Sequence, residues 1–227
     1  MYIPNQFKVD DEDKQLQLIK EFPLAALIFV EKSFFGTPNY SISHIPFFLT
    51  KNYNGQNVLK AHLARGNELV PLLQNANHNC LVSFRSTDSY ISPSWYPTKE
   101  KTHKFVPTWD FGAVNAYGIP QIIEDKEWLL QLLNEITDQE EGKRPEGSEF
   151  KPKWKVDQAP ENYLDTMIKN IVGLEIVIDE LEGKFKFNQN KAPIDTKGVI
   201  DAHINEVGGS KGEYMAKLTT QEYPKEL

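Results

Sequence analysis

Between Leu24 and Ile123 the chain passes through a close succession of short apolar stretches rich in β-branched and aromatic residues. They are LAALIFV from Leu24, YSISHIPFFL from Tyr40, VLKAHLA from Val58, CLVSF from Cys80 and AVNAYGIPQII from Ala113. Gly, Asn and Pro punctuate the gaps, the pattern of strands joined by turns. Only Glu68 to Gln74 reads as an intervening helix. So close a succession favours an antiparallel sheet closed into a small barrel over repeated βαβ units.

Helical segments flank this run. Asp10 to Phe22 reads as a short amphipathic helix with acidic residues in its first turn, Leu16 and Ile19 on one face and Pro23 as its stop. KEWLLQLLNEIT, after Asp125, spaces Trp128, Leu129, Leu132, Leu133 and Ile136 as a helical apolar stripe. A polar loop follows from Asp138 to Lys155, and helix resumes near Pro160 with Tyr163, Leu164, Met167, Ile168 and Ile171. GLEIVIDELEGKFKF returns to strand alternation, with Gly183 as a turn into a last short strand. Residues 1–205 therefore read as one barrel domain with helical additions. Residues 206–227, with scattered charge and little periodicity, read as a loosely ordered tail.

A hydrophobic content of 40% over 227 residues is enough for a sizeable core. The formal charge of −7 argues against broad, charge-driven attachment to nucleic acid or anionic membrane, although local basic patches remain. These are Lys99, Lys101, His103 and Lys104, and Lys151, Lys153 and Lys155. With Cys80 as the only cysteine there can be no intrachain disulfide and no thiolate zinc site. No segment has the leader pattern or the continuous apolar length of a bilayer span, so the expectation is a cytoplasmic protein without membrane attachment.

Three segments could carry chemistry. YISPSWYPTKEKTHKFVPTWDF, Tyr90 to Phe111, mixes Tyr, Trp and Phe with stiffening prolines and a basic middle. Aromatic faces with polar tips suit a planar ligand, and they suit a sheet edge packed on the core equally well. AHLARGN, Ala61 to Asn67, ends an apolar strand in Arg65, Gly66 and Asn67 before a helix, which makes an anion site or an ordinary turn. GKFKFNQNK, Gly183 to Lys191, sets lysines for phosphate beside amides for a heterocycle edge, or forms a solvated turn. The histidines His44, His62, His78, His103 and His203 show no HxxxH or HExxH spacing, so no metal site is expected. Haem on a single axial histidine is the alternative cofactor.

The order MYIP, HIP at His44, AHLARGN, YISPSWY, VPTWDF at Val106, VNAYG at Val114, DQAPENY at Asp157, IVGLEI at Ile171 and KFNQNK at Lys186 resembles the PaiB-type FMN-binding negative transcriptional regulators. The resemblance covers nearly all of residues 1 to about 200. It implies an α+β, mainly β fold: an FMN-binding split barrel of the pyridoxamine-phosphate-oxidase-like kind, dimeric, with FMN at the subunit interface. Carried over residue by residue, Arg65, Asn67, Lys186 and Lys191 are the phosphate and ribityl candidates. Tyr90, Ser92, Trp95, Tyr96, Thr108 and Trp109 would wall the site, and Gln189 and Asn190 would address the polar edge of the flavin ring. The chain departs from the family pattern at Asp110, Phe111 and Asn115, and at Phe187, Asn188 and Lys191.

A regulator of this kind is the first functional expectation, with DNA as a weakly supported partner because no helix-turn-helix with a basic recognition helix is visible. An FMN-dependent oxidoreductase needs no catalytic triad, since the isoalloxazine carries the chemistry, and no catalytic side chain is assigned. A flavin-free interaction dimer is the third reading, kept open by Asp110, Asn115 and Lys191.

Overall fold

The computed structural model describes residues 1–31 and 36–223. In chain order its elements are β1 (Lys8–Val9), α1 (Glu12–Glu21), β2 (Leu24–Glu31), β3 (Asn39–Pro46), β4 (Phe48–Lys51), β5 (Asn57–Ala64), α2 (Leu69–Gln74), β6 (Cys80–Arg85) and β7 (Ser89–Ile91). There follow α3 (Lys99–Thr102), β8 (Thr108–Gly118), β9 (Pro120–Ile123), α4 (Lys126–Gly142), α5 (Glu161–Lys169), β10 (Ile171–Val177), β11 (Glu180–Lys186), α6 (Pro193–Ala202) and α7 (Gly209–Glu222). The registered strand pairs are antiparallel, so the α+β, mainly antiparallel class expected from the strand spacing is observed.

The chain gathers into two compact units, each assembled from separated stretches. Unit 1 takes Met1–Phe22, Phe84–Asn115 and Glu182–Leu227, and unit 2 takes Pro23–Ser83 and Ala116–Leu181. This division differs from the sequence expectation of one domain ending near residue 205.

Unit 2 holds the four-stranded sheet in the order β4-β5-β10-β9, together with the β2–β3 and β2–β6 pairs. Its strands form where β-branched and aliphatic residues alternate: β2 buries Ala25, Leu27 and Phe29 on one face. Leu59, Val82, Val172 and Leu174 are fully buried. The stripe of α4 packs through Leu129 and Leu132, and Trp128 presses onto Gly173 of β10, where an added Cβ would lie 2.3 Å from the indole. Only glycine admits that approach. The single expected strand from Tyr40 divides into β3 and β4 around Phe47, which is buried and donates its N–H to Pro23 O at 2.9 Å. Likewise α4 runs through Gly142, into what the sequence suggested was a polar loop.

In unit 1, β11 lies between β1 and β8, and β7 pairs with β8. TWDF opens β8 rather than preceding it. Gly183 sits inside β11 opposite Val9, so it marks no turn; the break falls between β10 and β11 at Ile178 and Asp179. Asp11 caps α1, accepting from Lys14 N at 3.2 Å, and the helix buries Gln15, Leu18 and Ile19.

The expected loose tail is instead the helix α7, which begins after Gly208 at φ 63°. Gly212, Met215, Ala216 and Thr219 are its buried residues, a helical spacing built from small and weakly apolar side chains that hydrophobic patterning does not register. Lys14 pairs with Glu222 at 3.1 Å, and Tyr223 donates its hydroxyl to Lys191 O at 3.0 Å. Among the described residues no helix is long and apolar enough to cross a membrane.

Candidate functional site

The lysine-amide segment and the aromatic tract meet within unit 1. Lys186, at the end of β11, donates its ammonium to Thr108 Oγ1 and, at 2.6 Å, to Trp109 O at the start of β8. Register places Trp109 opposite Tyr90 of β7, and their rings meet edge to face at 6.1 Å. Both remain about half exposed, Tyr90 at 47% and Trp109 at 50%. Side chains that large, left open beside a cation, can still cover a flat ligand.

Behind this surface lies a buried polar chain. Tyr96, 1% exposed, stacks on Phe105 at 4.8 Å, and the Lys191 ammonium lies 5.3 Å above Tyr96 and 5.1 Å above Phe105. The Tyr96 hydroxyl donates to Asn188 Oδ1 at 2.8 Å, and Asn188 Nδ2 donates in turn to Asp110 Oδ2. Asn188 holds this bridging position with a left-handed backbone, φ 62°, which asparagine tolerates better than most residues. Asp110 Oδ1 is buried without a partner.

Charge in this region is balanced by burial. Desolvation pushes the Asp110 carboxyl up to about 7, against the opposing pull of Lys186 and Lys191. Burial lowers Lys186, with Asp110 partly restoring it. The Tyr96 phenol is raised, first by burial and then by Asp110 and Asp195. Lys186 and Lys191 are thus the cations that oppose burial at Asp110.

The remaining candidates are placed elsewhere. Ser92 caps the short 3-10 turn Pro93–Trp95, accepting from Ser94 N at 3.2 Å. Trp95 donates Nε1 to Glu206 at 2.8 Å and packs on His203, turning toward the C-terminal helices. Gln189 is tied to the backbone of Phe187 at 2.7 Å and of Phe185 at 2.5 Å, and Asn190 is exposed. Arg65 and Asn67 belong to unit 2. Arg65 pairs with Glu124 and donates to Lys169 O at 3.1 Å and Ile171 O at 3.2 Å, while Asn67 Oδ1 accepts from Leu69 N at 2.9 Å at the start of α2.

Sequence reasoning did not single out Phe105, and it treated Asn188 and Asp110 only as departures from a pattern. Nothing in their local spacing announces that β8, the turn after β11 and the segment around Tyr96 converge. Phe185 of β11 and Phe187, just past the strand's end, line a cavity of about 320 Å³ with Leu18, Phe22, Tyr214 and Leu218. Of the histidines, His203 is fully buried with neither ring nitrogen bonded, and burial, followed by Lys211, lowers it to about 4. Among the described residues no group of His, Cys, Asp and Glu is arranged to hold a metal ion.

Lysine donors beside exposed aromatic rings suit a ligand that joins a phosphate to a flat heterocycle. An uncharacterised protein of Saccharomyces cerevisiae is 48% identical over 167 residues, covering 67% of this chain and 98% of its own. Protease synthase and sporulation protein PAI 2 of Bacillus subtilis is 28% identical over 227 residues, covering all of both chains, which bears out the PaiB-type resemblance. Among solved structures, the flavocytochrome Anf3 of Azotobacter vinelandii aligns with a TM-score of 0.49 at 14% identity, over 79% of this chain and 69% of that one. Residues 1–180 match the family described as "Putative FMN-binding domain", and the chain belongs to that FMN-binding family.

Proposed function

We propose that the chain is an FMN-binding regulator of the PaiB type. Lys186 and Lys191 take the phosphate, and Trp109 and Tyr90 cover the ring. The observation that carries this reading is the convergence, inside unit 1, of Lys186 with Thr108 and the half-exposed Tyr90–Trp109 pair. Lysine serves phosphate as a point charge rather than a fork, so affinity rests on two such charges instead of one bidentate contact. Trp109 excludes water from one ring face, and Tyr96 and Asn188 hold Asp110 beneath the cations. When bound, FMN would supply one- and two-electron transfer. The unit 1 cluster does not include Arg65 and Asn67, which lie in unit 2.

The proposed assembly is a homodimer with FMN at the subunit interface, in the cytoplasm. The formal charge of −7 favours an indirect regulatory effect over tight DNA contact. Purified protein mixed with excess FMN, freed of unbound cofactor and scanned in the visible range, is expected to retain about one flavin per subunit. A colourless protein would sink this reading. A second reading, an FMN-dependent oxidoreductase, draws on Asp110, a buried carboxyl raised to about 7 near the ring surface; NAD(P)H turnover by the flavin-loaded protein would separate it from the first.

A further inference from the structure

Asp110 is 0% exposed, and its surroundings do not complete an ionised carboxylate. Asn188 Nδ2 serves Oδ2, but Oδ1 is buried with no hydrogen-bond partner. The titratable and charged groups that bear on it are Lys186 of β11, Lys191 in the turn that follows, and Tyr96, with Asp195 of α6 acting on Tyr96 in turn. Asp195 is itself satisfied by Thr98, through N–H at 3.0 Å and Oγ1 at 2.8 Å. What opposes protonation of Asp110 is therefore the pair of lysines, the same cations that face the proposed ligand.

We propose that Asp110 is the proton-holding group of this anion site: when a phosphate-class anion occupies Lys186 and Lys191, Asp110 takes up one proton from solvent. The inference rests on the reading of those lysines as the FMN phosphate contacts. An anion drawn to them cancels their field at Asp110 and adds a negative charge of its own, and both changes favour the neutral acid. The proton adds to the carboxylate oxygen, and no bond to the ligand forms or breaks. Neutralisation removes the repulsion between carboxylate and phosphate, so the site binds the anion and the proton together. The carboxyl lies near 7 in the free protein and rises on binding. Proton uptake should be largest at and just above that pH and vanish below about pH 5, where Asp110 is already protonated. FMN affinity should fall as the pH rises above neutrality, by at most about tenfold per pH unit.

The test is calorimetric titration of the full chain with FMN near pH 7.5, in phosphate-free buffers that differ in ionisation enthalpy. The FMN phosphate is already a dianion there, its second pKa being about 6, so it releases no proton of its own. The expected result is an uptake of between about half and one proton by the parent and none by Asp110→Asn, whose FMN affinity stays flat with pH and exceeds the parent's above neutrality. Binding heat that does not depend on buffer, or uptake that persists in Asp110→Asn, overturns this inference alone. Absence of FMN binding by the parent overturns the phosphate reading, and this inference with it. Should Asp110→Asn fail to fold, the parent's infrared difference spectrum on adding inorganic phosphate decides: a new protonated-carboxyl band supports the proposal and its absence overturns it.

Discussion

Asp110→Asn should make the protein more stable at pH 8 than the parent, and the advantage should shrink on acidification. The carboxyl rises from an ordinary 3.8 to about 7 in the folded chain. Because the folded value lies above the unfolded one, this group favours folding most below pH 4, and that contribution is lost as the pH climbs through 7. At 1.36 kcal/mol per pKa unit, the full swing is about 4 kcal/mol, and about 2–4 kcal/mol is a fair order of magnitude. The amide is isosteric and carries no charge to desolvate, so it does not experience the swing. Thermal unfolding followed by circular dichroism at pH 5 and pH 8 reads the difference directly. A shift of about 2–4 °C per kcal/mol in a chain of this size makes the gap at pH 8 several degrees larger than at pH 5. A gap independent of pH, or a variant less stable than the parent at pH 8, would refute the view that burial outweighs Lys186 and Lys191 at Asp110.

Trp109→Ala removes a half-exposed ring, so FMN affinity should fall by about tenfold while the melting temperature hardly moves; equal titrations would remove Trp109 from the site. Arg65→Ala breaks an exposed ion pair with Glu124 and should change stability by no more than about 1 kcal/mol. In the same variant, FMN titration decides whether Arg65 reaches a phosphate at all. Met215→Ala, at a fully buried position of α7, should cost about 2–4 kcal/mol in denaturant unfolding, where a loose tail would show almost no change.

Much of the scaffold was legible because its signals are local. The apolar runs from Leu24, Val58 and Cys80 form β2, β5 and β6, and Asp125 starts α4 by accepting Trp128 N at 2.7 Å. The misread segments share a cause: their structure depends on what lies opposite. α7 buries Gly212, Ala216 and Thr219 beside Met215 against the rest of unit 1, a face with little hydrophobic contrast to detect. β8 starts at Thr108 because β7 pairs with it there, and Gly183 continues β11 because Val9 stands opposite.

The candidate site divides in the same way. Sequence order alone supplied the family, the cofactor class, and the segments holding Tyr90, Trp109, Lys186 and Lys191, because residue types and their succession survive without coordinates. Which of those side chains meet was decided by tertiary structure: strand register sets Tyr90 against Trp109, Asn188 bridges Tyr96 to Asp110, and Arg65 turns to Glu124. Asp110 shows the reason most plainly, since the sequence establishes only that a carboxylate is present. Its protonation state follows from burial and the distance to two lysines, quantities that exist only once segments far apart in the chain have packed together.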